Sequence, residues 1–120
     1  DYADLIEVRV SSAKRAVRVA GAILAEGHSR IVRIDDFRVD LVPRGVALVL
    51  HNHDVPGVIG RVGTLLGNAG INIAEYHQAR LTAGGDALAV VSIDSALPGV
   101  VGEALRALPE LRSVAQVVFD

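Results

Sequence analysis

Polar side chains gather where an apolar run stops. His51-Asn52-His53-Asp54 follows Val46–Leu50, and Val55-Pro56-Gly57 leads into a second apolar stretch, Val58–Leu66. Each residue type here suits the holding of a small polar molecule. Asp54 can accept hydrogen bonds from an ammonium group, while Asn52, and Asn72 further on, offer both a donor and an acceptor. If Val58 opens a helix, the N–H groups around Val58, Ile59 and Gly60 have no partner within it and favour an anion such as a carboxylate. Pro56 carries no N–H at this turn, and Gly57 lets backbone and ligand come close. Structural roles stand beside these: Asp54 can cap the helix, and Asn72 can satisfy turn backbone after Gly70. The pattern reads as a binding site and not as a reaction centre.

Two other chemistries are weaker. His51 and His53 share a strand face, with His77 and Asp54 as further candidate ligands, but a zinc site wants three or four fixed ligands. We predict no metal. No dinucleotide-binding turn is predicted either, because Gly57–Gly60 and Gly60–Gly63 lack its spacing and sit inside a helical pattern.

The elements that must position these residues follow from periodicity. Beyond Pro43-Arg44-Gly45 we predict strand 46–51, helix 57–68, strand 71–81, strand 87–94, helix 98–107 and strand 113–119, with a hairpin loop at Thr82–Asp86. Ser95 is a candidate cap for the second helix, and Asn68-Ala69-Gly70 ends the first. The order βαββαβ predicts a ferredoxin-like α+β fold, a four-stranded antiparallel sheet with both helices on one face. A change of parity near Ala74–Glu75 marks either a bulge or a face used by a neighbouring subunit. Upstream, Leu5–Val10 alternates as a half-exposed strand does. Ala16–Leu24 reads as a strand, with a helix over 12–25 as the alternative. Arg30–Ile34 and Phe37–Val42 flank a two-residue turn, Asp35-Asp36. This makes an antiparallel β meander over 1–43, from a domain that begins outside the chain, and a second domain over 44–120.

Composition narrows the class. The 120 residues are 51% hydrophobic with a formal charge of −2, which gives no drive toward nucleic acid or anionic membrane. Tyr2, Phe37, Tyr76 and Phe119 form no base-stacking pair. No run reaches the roughly 18–20 apolar residues of a membrane span, and the polar start is no export signal, which points to the cytoplasm. Cysteine and methionine are both absent, so disulfides are excluded and the chain reads as part of a longer protein. Lys14, Arg15, Arg18, Arg30, Arg33 and Arg38 make either solvated strand faces or an anion site for a phosphorylated substrate.

His53-Asp54-Val55-Pro56-Gly57-Val58-Ile59, followed by Gly70-Ile71-Asn72-Ile73, resembles the most telling pattern of the ACT domain family, small regulatory modules that bind amino acids in metabolic enzymes. The stretch Arg30–Pro43 is similar to the end of the allosteric substrate-binding domain in long-form D-3-phosphoglycerate dehydrogenases, where an ACT domain closes the chain. Iron–sulfur L-serine dehydratases carry a similar pair of modules, and a dimerisation module with a degenerate site is a further alternative. The resemblance implies feedback control of serine synthesis by L-serine, bound between two ACT domains of a homodimer or tetramer. One copy would supply Asn52, Asp54, Pro56, Gly57, Val58 and Ile59, and the other Asn72. The family often has histidine where Asn52 stands and asparagine where Asp54 stands. It also implies that NAD and the catalytic domains belong to a part of the parent enzyme outside this chain.

Overall fold

The computed structural model describes residues 4–11, 16–23, 29–80 and 85–119, the first two stretches and Ser29 by backbone alone. The predicted cap at Ser12, the turn at Glu26–His28 and the loop residues Thr82–Gly84 lie outside the described residues. The chain divides into two compact units, 1–44 and 45–120.

The first unit is a four-stranded antiparallel meander, β1 (Asp4–Ser11), β2 (Ala16–Ile23), β3 (Ser29–Ile34) and β4 (Phe37–Leu41), paired in chain order. The alternative helix over 12–25 is not adopted. All of β2 pairs with β1, from Ser11↔Ala16 to Asp4↔Ile23, and its β-branched Val17 and Val19 suit that pleat. Ile34 pairs with Phe37 across Asp35-Asp36, and Asp35 takes the positive φ of 50°. Aspartate reaches the left-handed region at lower cost than most residues, so the turn closes without the usual glycine. Ile31, Ile34, Phe37 and Leu41 are buried, and Arg30 donates from Nε to Asp40 Oδ1 at 2.8 Å.

The second unit is β5 (Gly45–His53), α1 (Val58–Asn68), β6 (Ile73–Arg80), β7 (Asp86–Ile93), α2 (Gly99–Arg106) and β8 (Leu111–Phe119). Its sheet is antiparallel in the order β6-β7-β5-β8, the predicted ferredoxin-like arrangement. Val58, Val62 and Leu66 recur every four residues and bury one stripe of α1; Val101 and Leu105 do so for α2. These pack with Val46, Leu48 and Leu50 of β5 and Ala89, Val91 and Ile93 of β7, every second residue of each strand. Burying each large aliphatic side chain contributes about 1.5–3 kcal/mol, so this cluster is the main source of stability. Val49, Leu88 and Val90 alternate to the other side, which makes β5 and β7 apolar on both faces and explains their near-continuous apolar sequence.

The ends of elements differ from expectation in two informative ways. Strand β5 continues to His53, two residues past the predicted end, because Asn52 and His53 still pair with Ala87 and Asp86. Ser95 does not cap α2; the cap position is Pro98, in extended backbone and with no side-chain hydrogen bond. The end of α1 is as predicted and well made. Ile71 N donates to Leu66 O at 2.9 Å and Gly70 N to Gly67 O at 3.0 Å, with Gly70 at φ 74°. This paired closure satisfies two end carbonyls and turns the chain into β6.

Leu66 joins this closure to the core, so Leu66→Ala should destabilise the chain by about 3 kcal/mol. Urea unfolding of both proteins measures the difference.

Candidate functional site

The turn between β5 and α1 is held by its backbone. His53 N donates to Glu110 O at 3.0 Å, Asp54 N to Gly85 O at 2.9 Å, and Val55 N to His53 O at 2.9 Å. Three chain segments therefore fix where Asp54 stands. Its carboxylate is only 11% exposed and is met from β6 by Gln78 Nε2, 3.3 Å from Oδ1, and by Arg80 Nη1, 3.3 Å from Oδ2. Gln78 and Arg80 were not among the predicted site residues. The available signal was their period: both lie on the helix-facing side of β6, opposite Ala89 and Ala87.

Asp54 is not the helix cap. That position belongs to Gly57, at φ 91°, which has no side chain to bond the start of α1. The first-turn N–H groups of Val58, Ile59 and Gly60 therefore receive no bond from the cap residue, and no acidic residue stands in that turn. Asn52, one step before the turn on the core side of β5, is 1% exposed. Its Nδ2 donates to His53 O at 2.8 Å, whereas its Oδ1 is buried with no hydrogen-bond partner. An unpaired buried carbonyl oxygen costs about 1–3 kcal/mol and calls for a donor. Arg61 steadies the far side of the turn, bonding Glu110 Oε1 at 2.8 Å and reaching Pro56 O at 3.5 Å. An open groove of ≈ 550 Å³ follows α1 on that side, along Gly57, Arg61, Thr64 and Asn68 to Leu108.

Six of the seven predicted site residues, Asn52, Asp54, Pro56, Gly57, Val58 and Ile59, thus share one end of the unit. Asn72 does not join them. It precedes β6 and donates to Asp94 Oδ2 at 3.0 Å, at the opposite end of that strand. Eight residues of β6 at about 3.3 Å each separate the two places by roughly 25 Å. The predicted parity change is present as a register shift between Ile73 and Glu75.

The histidines are engaged separately. His51 Nδ1 lies 3.3 Å from Ser113 Oγ, His53 Nδ1 lies 3.3 Å from Arg112 Nη2, and His77 Nε2 lies 2.7 Å from Glu75 Oε2. Among the described residues no group of three or more candidate ligands could hold a metal, and no helix is long and apolar enough to cross a membrane.

A βαββαβ sheet serves many functions, so the class of this module is decided by its sequence. The sequence profile of the ACT domain family matches residues 46–110. The chain belongs to the ACT domain family. It is 32% identical over 116 residues to the D-3-phosphoglycerate dehydrogenase of Methanocaldococcus jannaschii, covering 97% of this chain and 22% of that protein. It is 34% identical over 113 residues to the enzyme of that name in Bacillus subtilis, covering 94% and 22%. With that of Archaeoglobus fulgidus it shares 44% over 73 residues, 61% of this chain and 14% of that protein. The chain spans about a fifth of the length of the first two relatives. It carries an ACT regulatory domain like that of D-3-phosphoglycerate dehydrogenase.

Two outcomes follow from the site's backbone and its buried phenol. Gly57→Ala should cost about 1–2 kcal/mol in urea unfolding, since it forces a side chain into left-handed backbone, with its Cβ 3.0 Å from Arg61 Nη1. The Tyr76 hydroxyl is buried without a partner, and burial raises its pKa above 10.0. Below that value the phenol is protonated in both states. Above it the unfolded chain releases its proton first, so stability falls as pH rises past about 10. Tyr76→Phe should flatten that fall in urea midpoints taken across the same range.

Proposed function

We propose that this chain is an amino-acid sensor from a D-3-phosphoglycerate dehydrogenase, binding L-serine between two ACT domains for feedback inhibition of serine synthesis. The observation that carries this reading is an uncapped helix N-terminus four residues after a nearly buried carboxylate. The N–H groups of Val58–Gly60 suit the α-carboxylate of a free amino acid, with the helix dipole behind them. Asp54 suits the α-ammonium. The Asn52 oxygen, which has no donor of its own, suits the side-chain hydroxyl of serine.

Asn72 completes the site from a second copy. Strand β6 is an edge of the sheet, with β7 its single neighbour. A two-fold axis that pairs two such edges antiparallel sets the start of one β6 beside the end of the other. That geometry carries Asn72 of each copy across the roughly 25 Å to the other's Asp54. Serine touching both copies stabilises the paired arrangement by its differential affinity for it. The likeness to long relatives supports the rest of the reading. The meander of residues 1–43 is the end of an allosteric substrate-binding domain, and NAD binding and oxidation of 3-phosphoglycerate belong to other domains of the parent enzyme. Homodimers or tetramers form through the ACT domains.

Calorimetric titration with L-serine tests the site, and subunit mixing tests its origin. Asp54→Ala and Asn72→Ala should each weaken binding at least about tenfold, the ordinary scale for a lost charged or buried hydrogen bond. Mixed dimers of the two variants rebuild one intact site of two, so half of the binding capacity should return in the heterodimer. Full binding by Asn72→Ala alone, or no recovery on mixing, would contradict a shared site.

A further inference from the structure

The cation place at Asp54 is already taken. Arg80 Nη1 lies 3.3 Å from Asp54 Oδ2, longer than the Arg30–Asp40, Arg61–Glu110 and Arg112–Asp86 pairs at 2.7, 2.8 and 3.0 Å. The two partners are placed unequally: the Asp54 side chain is 11% exposed and that of Arg80 is 56% exposed. A nearly buried carboxylate needs a positive partner, because leaving it unpaired is costly. A half-exposed guanidinium is solvated with or without its carboxylate and gives up a long, exposed bond at little cost. Gln78 Nε2 holds the other oxygen, so Oδ2 can exchange one cation for another while Oδ1 stays fixed.

We propose that Arg80 is a resident competitor for the ligand ammonium: it neutralises Asp54 until a free amino acid arrives, and binding exchanges the guanidinium for the α-ammonium. The inference rests on the amino-acid reading of this site and adds a specificity-determining residue to it. Two properties follow. The ligand must carry an ammonium group, because an anion such as D-glycerate or L-lactate offers Asp54 nothing in place of Arg80. The affinity is also set lower than the other contacts would make it. Arg80 keeps the nearly buried Asp54 stable in the absence of amino acid, and the exchange makes binding a choice between two cations.

The test is calorimetric titration of the full chain, wild type and Arg80→Ala, with L-serine, glycine, L-alanine and L-lactate, each variant first compared by thermal unfolding. Arg80→Ala should bind L-serine about 1.5- to fivefold more tightly, the range expected from losing one exposed competing ion pair. The gain should shrink at high salt, which screens the wild-type pair. Arg80→Lys keeps a cation without the fork and should fall between the two. A cation at the other end of β5, removed by Arg44→Ala, should leave affinity unchanged, because a zwitterion has no net charge for it to steer. Equal or weaker serine binding by Arg80→Ala, with the wild type binding normally, overturns the proposal alone and would make Arg80 a ligand contact or a bystander. Binding of glycine or L-alanine gained by Arg80→Ala, with no serine binding in either protein, supports the competitor and overturns the serine reading. Failure of every amino acid to bind either protein overturns both.

Discussion

Strand β5 is the constraint on which the second unit depends. It is paired on both sides, with β7 from Val46 to His53 and with β8 from Gly45 to Asn52. A strand in that position must be apolar on both faces, and GVALVL is. Its one side supplies Val46, Leu48 and Leu50 to the helices, which fixes where α1 and α2 lie. Its end then emerges at a fixed point, and the first polar residues past the core, Asn52 through Asp54, are held there by backbone bonds to the starts of β7 and β8. The candidate site is therefore the polar end of the most tightly paired strand. It is rigid for the same reason that the core is stable.

From that end, α1 and β6 run away and return. The glycine closure at Gly70 reverses the chain, Asn72 marks the far end, and β6 brings Gln78 and Arg80 back to Asp54. The proposed site thus divides, within one copy, between the opposite ends of an edge strand. A lone unit cannot close them on each other, because roughly 25 Å of extended strand lies between. Two units related by a two-fold axis can. In the proposed site, ligand binding and pairing of the units draw on the same strand, which is the physical link between them.

Much of this was legible in the sequence because it rests on local rules. Alternation in ALVLHNH and ALAVVSI, the four-residue spacing of Val58, Val62 and Leu66, and the glycine after Asn68-Ala69 each specify one element with little help from tertiary context. The bulge beside Ala74 was legible too, as a break in parity. What escaped was set by contacts between distant segments. The extra two residues of β5 depend on partners in β7. The capping role offered to Asp54 fell to Gly57, since the carboxylate is drawn across to β6. Pairing of Asp54 with Arg80 joins residues 26 apart and leaves no local mark. That six site residues would gather at one end followed from their adjacency in the chain, whereas the distance to Asn72 needed the length and direction of β6.

The central claim is that one amino acid engages both half-sites of a paired ACT domain. Backbone amide NMR of the ¹⁵N-labelled chain during an L-serine titration tests it most directly. The account predicts that Val58, Ile59 and Gly60 at one end of β6, and Asn72 at the other, shift together and saturate at a single midpoint. Shifts confined to one end, or to the groove along Thr64 and Asn68, would contradict it.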